Sequence, residues 1–210
     1  MARVGQQFRD ALDYAATLHE NQRRKHEEYN SIWIPYVSHL LGAASLVLEV
    51  DGSEDEAIAA LLHDAIEDQP CDGLTEKKIG ERYGAQVLEI VKHCTKAEID
   101  KTGPAEVVKA RRVKQTSDYV EHLRGAPDPV KLVAAADKLN NARAIVRDYR
   151  KHGDDVWDRF NKTKRETLDY YEELVSALQG GDERAQRLVD ELEETVKMMH
   201  ELAGLPTSKR

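Results

Sequence analysis

Apolar residues recur every three to four positions along almost the whole chain, and strand-like alternation is scarce, so the pattern predicts a succession of amphipathic helices. Phe8, Leu12, Ala15, Ala16 and His19 line one face of a first helix, which runs into Gln22-Arg23-Arg24-Lys25. Pro35 precedes a second, with Val37, Leu40, Leu41, Ala44, Val47 and Leu48 as its packing face and Asp51-Gly52 as its stop. Ser53 and Glu56 form the capping-box pattern of a third helix, expected to run unbroken to Pro70. Short helices are expected over Thr75–Arg82 and Ala85–Thr95, separated at Gly84, then a longer one over Ala105–Leu123. Asp128-Pro129 reads as an N-cap followed by proline, opening a helix over Val130–Arg150. Two long helices, Asp155–Leu178 and Glu183–Leu202, close the chain and break at Gly180-Gly181. The expectation is an all-α, single-domain bundle of about eight to ten helices over residues 1–210.

Composition narrows this picture in a few places. Apolar content of 40% with 33% charged residues suits a helix-rich globule and argues against disorder. No apolar run approaches the roughly 20 residues of a membrane span, and the first residues lack a signal-peptide core. Cys71 and Cys94 have no motif spacing and read as reduced thiols, so the expected location is cytoplasmic, with no membrane partner. A net charge of −8 argues against binding a nucleic-acid polymer but leaves room for a small anion in a local cationic pocket. Nothing in the pattern sets the oligomeric state.

The densest chemistry lies in His63-Asp64-Ala65-Ile66-Glu67-Asp68. On a continuous helix these four polar groups would fall within an arc of roughly 140°, with Leu61, Leu62, Ala65 and Ile66 on the other sides. Burying several carboxylates costs kilocalories unless a cation compensates, and a divalent metal is the simplest compensation. His39 lies beside the apolar face of the second helix, and Asp137 sits in the apolar run Val133-Ala134-Ala135-Ala136. Together His39, His63, Asp64 and Asp137 make a mixed nitrogen and oxygen set suited to Mn²⁺, Fe²⁺, Co²⁺ or Zn²⁺. Arg24, Lys25, Lys138 and Arg143 are the cations expected near such a cleft, and Trp33 is a candidate cover for a bound base.

The order His39, His63-Asp64, Asp137 resembles the signature of the HD superfamily of metal-dependent phosphohydrolases. Within it the chain resembles the hydrolase domain of the RelA/SpoT group and the stand-alone small alarmone hydrolases. His19-Glu20-Asn21-Gln22-Arg23-Arg24-Lys25 matches the family's His-x-Gly-Gln-x-Arg-Lys segment, with Asn21 in place of glycine. Pro35-Tyr36-Val37-Ser38-His39-Leu40 matches Pro-Tyr-x-x-His-Pro, with Leu40 for the last proline. His63 to Asp68 matches His-Asp-x-x-Glu-Asp without change, and Ala136-Asp137-Lys138-Leu139-Asn140-Asn141-Ala142-Arg143 matches the late motif, with Asn140 where His or Tyr is common. Lys109 and Arg112 resemble the family's basic positions in the helix before it, although Val113 breaks the expected pair. The motifs cover about residues 8–150, leaving 151–210 as a C-terminal helical part.

The resemblance implies an all-helical, Mn²⁺-using enzyme that removes the 3′-pyrophosphate of guanosine tetra- or pentaphosphate. It implies His39, His63, Asp64 and Asp137 as metal ligands and Glu67 and Asp68 as the acids that orient or deprotonate the attacking water. Arg24 and Asn141 become substrate contacts, with Lys25, Lys109, Lys138 and Arg143 beside them. Hydrolysis of another phosphorylated nucleotide or cofactor is the alternative within enzymes, and a non-catalytic metal-binding sensor or interaction protein is the alternative outside them.

Overall fold

The computed structural model describes residues 4–24 and 34–207. Among them are α1 (Gln6–Leu18), α2 (Val37–Glu49), α3 (Glu54–Leu62), the single turn α4 (Ala65–Asp68), α5 (Leu74–Cys94), α6 (Ala105–Arg124), α7 (Asp128–His152), α8 (Lys164–Leu178) and α9 (Glu183–Ala203). Short 3₁₀ segments, Cys71–Gly73 and Gly153–Arg159, join α4 to α5 and follow α7. The described residues hold no β-strand; one isolated bridge pairs Arg23 with Pro35. No helix among them is long and apolar enough to cross a membrane. The all-α expectation holds.

Helix α7 is the axis of the fold. Every residue from Val130 to Leu139 is buried, so this helix is enclosed on all sides, and α2, α3, α5 and α9 pack around it. The small side chains of Ala134, Ala135 and Ala136 let those neighbours approach closely. Lys131 reaches out of the core by donating to the Gln179 carbonyl at 2.8 Å. Helix α2 meets this axis with His39, Leu40, Ala43, Ala44, Leu46 and Val47. Leu41, expected on the packing face, is 42% exposed, because the buried face is rotated to bring His39 and Ala43 inward.

Local signals set several boundaries. Ser53 and Glu56 form the expected capping box at α3: Glu56 N–H donates to Ser53 Oγ at 3.2 Å and Ser53 N–H to Glu56 Oε2 at 2.6 Å. Gly84 kinks α5 with φ +90° and ψ 171°, a conformation essentially reserved for glycine, where the sequence places a break. Three expectations change. Asp128 is the first residue of α7 rather than its cap, which passes to Pro127. The helix expected over Asp155–Leu178 starts only at Lys164, because Thr163 and Glu166 close a second capping box there and Trp157 is buried by the 3₁₀ segment before it. The third helix does not run to Pro70 but ends at Leu62.

Candidate metal centre and active site

That break positions the site. His63 follows the end of α3, and Asp64 has φ −95° and ψ −3°, outside the helical centre, before the turn of α4. The chemistry-bearing residues therefore do not share one helical stripe. His63 stays in the core at 2% exposure, Asp64 turns towards it, and Glu67 and Asp68 emerge at the surface.

His63 Nδ1 lies 2.8 Å from the Ala60 carbonyl, and His39 Nδ1 lies 2.9 Å from Asn140 Oδ1. Carbonyl oxygens only accept, so both imidazoles carry a proton on Nδ1 and turn Nε2 towards each other, 3.3 Å apart. Asp64 Oδ2 stands 3.0 Å from His63 Nε2 and 3.6 Å from His39 Nε2. Asp137 Oδ1 stands 3.2 Å from His39 Nε2 and 3.5 Å from His63 Nε2. His39, His63 and Asp137 form the one group among the described residues whose three ligand atoms lie within 4.8 Å of one another. Separations of this size suit donor atoms around an ion with bonds of about 2.0–2.2 Å. The donor set fits a divalent transition metal.

The electrostatics agree. Burial pulls both histidines down, yet Asp64 and Asp137 more than offset it, raising His39 and holding His63 well above its ordinary value. Burial pushes the two carboxyls up, but His63 acts on Asp64, and Lys138 with His63 on Asp137, to leave both well below the usual range. The two carboxylates thus set a negative potential between the imidazoles, the setting a cation would use once the imidazoles are neutral.

Around this group Lys138 pairs with Asp137 Oδ2, and Asn141 Nδ2 donates to Asp137 Oδ1. Arg24 Nη2 donates to Asn141 Oδ1 at 3.1 Å, so Arg24, Asn141 and Lys138 are all brought to the centre. Glu67 faces Lys96, whose backbone N–H lies 3.2 Å from Oε2 and whose Nζ lies 3.5 Å from Oε1. Asp68 accepts from Gln22 Nε2 at 2.6 Å. Arg143 is not brought in: it pairs with Glu191 of α9 at the surface. Lys109 is exposed on α6, as is Arg112. Lys25 and Trp33 lie outside the described residues.

Several neighbours escaped the reading of the sequence. Tyr36 donates to Asp64 Oδ2, and Asn140, a departure from the family motif in the sequence, orients His39. Lys96 and Lys138 approach the Tyr119 ring at 5.3 and 5.6 Å, and Lys162 sits 3.9 Å over Tyr170. Lys162 makes no ion pair among the described residues, and burial, with Lys96 nearby, lowers its pKa. Only Tyr36 had a usable signal, three residues before His39 on the same helix start.

An all-helical fold that gathers these His and Asp side chains beside a helix end is of the HD type, and this chain belongs to the HD domain family, whose model matches residues 11–179. It is similar to the guanosine-3′,5′-bis(diphosphate) 3′-pyrophosphohydrolase MESH1 of Mus musculus, 32% identical over 95% of this chain and 96% of that protein. The Homo sapiens MESH1 is 31% identical over the same shares. The bifunctional (p)ppGpp synthase/hydrolase SpoT of Escherichia coli K12 is 28% identical over 81% of this chain but 22% of its own length. The solved structure of a metazoan ortholog of SpoT that hydrolyzes ppGpp shares the fold, with a TM-score of 0.68 at 23% identity over 94% of this chain and 99% of that one.

Proposed function

We propose that this protein is a metal-dependent phosphohydrolase that cleaves the 3′-pyrophosphate from guanosine tetra- or pentaphosphate, giving GDP or GTP and pyrophosphate. The observation that carries the reading is the convergence of His39 Nε2, His63 Nε2, Asp64 Oδ2 and Asp137 Oδ1 in a chain similar to MESH1 over nearly its full length. These four side chains would hold the ion, for which Mn²⁺ is proposed and Fe²⁺, Co²⁺ or Zn²⁺ are compatible. When bound, such an ion supplies charge to a phosphoryl oxygen and acidifies water towards neutrality.

The chain's own residues do the rest. Gln22 holds Asp68 Oδ2, and partial burial with Asp64 and Glu67 nearby raises the pKa of this surface carboxyl, which suits an acceptor for the proton of the attacking water. Glu67, braced by Lys96, is the second acid at the rim. Arg24 and Lys138, with Lys96 and Lys162 from further segments, place cationic groups where a multiply charged phosphate ester would lie. Lys25, Lys109 and Arg143 remain candidate contacts, the last two only if they leave their positions at the surface. The substrate is a small nucleotide rather than a polymer, and the two unpaired cysteines suit a cytoplasmic setting.

The test is a substrate screen with Mn²⁺ that separates pyrophosphate from orthophosphate. Pyrophosphate and GDP released from guanosine tetraphosphate, lost in Asp64→Ala together with bound metal, is the expected result. Orthophosphate from another nucleotide, with guanosine tetraphosphate untouched, would replace this reading by the alternative substrate class.

A further inference from the structure

The segment at the end of α1, His19 to Gln22, enters the reaction above only where Gln22 meets Asp68, yet it is built into the surroundings of both Asp68 and Asp64. His19 is 2% exposed, and its Nδ1 lies 2.7 Å from Gln22 Oε1. Gln22 Oε1 also accepts from Gln69 Nε2 at 3.3 Å, while Gln22 Nε2 donates to Asp68 Oδ2 at 2.6 Å. Flipping this amide would set its oxygen against the Asp68 carboxylate and its NH₂ against that of Gln69. The polarity therefore runs one way, from an imidazole protonated on Nδ1, through the amide, to the carboxylate.

The same histidine braces the other acid. Its ring stacks on Tyr36, with centroids 5.2 Å apart and planes at 29°, and Tyr36 Oη donates to Asp64 Oδ2. Tyr36 N–H donates to the Gln22 carbonyl at 3.0 Å, which clips the end of α1 to the start of α2. Asp68 itself is exposed and belongs to a four-residue turn of helix, so its own element does little to hold its side chain. Gln22 is its one side-chain hydrogen-bond donor among the described residues. A carboxylate on so short a turn keeps one orientation only if a buried group holds it there.

We propose that His19 and Gln22 are positioning residues, a relay from buried imidazole to amide that sets the Asp68 carboxylate for hydrolysis while His19 steadies Tyr36 on Asp64. This rests on Asp68 being an acid of the proposed reaction. Gln22 touches neither the reacting phosphorus nor the ligand nitrogens, so its effect belongs in turnover rather than in substrate affinity or metal content.

The experiment measures kcat, KM and bound Mn²⁺ for Gln22→Leu, the isosteric Gln22→Glu, His19→Leu and His19→Asn, beside Asp68→Asn. Gln22→Leu and Gln22→Glu are expected to lose about 10–100-fold in kcat with KM and metal content unchanged, and His19→Leu to lose as much in kcat together with part of its bound metal, since His19 also steadies Tyr36 on Asp64. His19→Asn, whose Nδ2 can supply the same donor, regains most of it. Gln22→Leu placed on Asp68→Asn should add no further loss. Crystal structures of wild type and Gln22→Leu supply a readout independent of turnover: the Asp68 carboxylate should leave its position. Wild-type kcat in Gln22→Leu while Asp68→Asn is inactive would overturn the relay, as would a loss of kcat in Gln22→Leu that tracks a loss of metal. Full activity in Asp68→Asn would instead remove the assignment of Asp68, and a displaced carboxylate in the Gln22→Leu crystal would still support the positioning.

Discussion

One amide governs what His39 can do. Asn140 Oδ1 accepts a hydrogen bond from His39 Nδ1–H and so aims Nε2 at the centre, and Gly42 makes room for it, since a Cβ there would stand 2.2 Å from Asn140 Nδ2. Asn140→Ala should weaken metal affinity by roughly 10–100-fold while leaving all four ligands in place, which a metal titration followed by calorimetry measures. The ionisation of the same cluster predicts a pH dependence for the metal-free chain. His39 and His63 are raised, so their contribution is fully present below their unfolded value of about 6.5 and is lost as pH rises through the folded values. Asp64 and Asp137 are depressed, so theirs is present above about 3.9 and is lost as pH falls through the folded values. Metal-free protein should therefore melt highest between about pH 4 and about pH 6.5 and lower at alkaline pH, with Mn²⁺ restoring stability there because the deprotonated imidazoles bind it. Thermal melts with and without chelator check both signs. The candidate ligands were legible as residue types in an order that resembles the HD signature; Asn140 was not legible as a partner of His39, because the two lie 101 residues apart.

Helix boundaries show where periodicity works and where it fails. Gly84 was legible as a break, and its backbone explains why: φ is +90° and a Cβ would meet nothing within 4 Å, so the penalty for another residue is conformational, not steric. Gly84→Ala should cost about 1–3 kcal/mol, the usual range for a side chain forced into such a region. At about 2–4 °C per kcal/mol for a chain of this size, a melting curve resolves it. The end of α3 at Leu62 was not legible, since Leu61, Leu62, Ala65 and Ile66 continue the apolar pattern straight through it. What ends the helix is the demand that His63 face inward while Glu67 and Asp68 face out, a demand set by α2 and α7. The start of α8 was legible and missed: Thr163 and Glu166 spell a capping box inside a pattern that reads as one longer helix.

Across the molecule, α9 is tied back to the first turn of α3. Arg184 donates from Nη1 to Glu56 Oε2 at 2.8 Å and from Nη2 to Glu56 Oε1 at 3.1 Å, while Glu56 is 3% exposed and also closes the cap of α3. Arg184→Met leaves that buried carboxylate without its cation and should cost about 3 kcal/mol, the lower end for a broken buried pair because Arg184 itself stays partly in water. Urea denaturation measures the loss, and turnover per folded molecule should be unchanged, since neither residue bonds to a candidate site residue. By itself the sequence determined the helical class, most element boundaries, the four candidate ligands and the acids beside them, because helical period, caps and residue chemistry are local properties of the chain. The tertiary structure alone decided that Arg143 and Lys109 stay at the surface, that Asn140 meets His39 and Tyr36 meets Asp64, and that Gln22, joined to His19, reaches Asp68. Those outcomes depend on how α1, α2 and α7 rotate against one another, and a helix's rotation is chosen by its neighbours rather than by its own period.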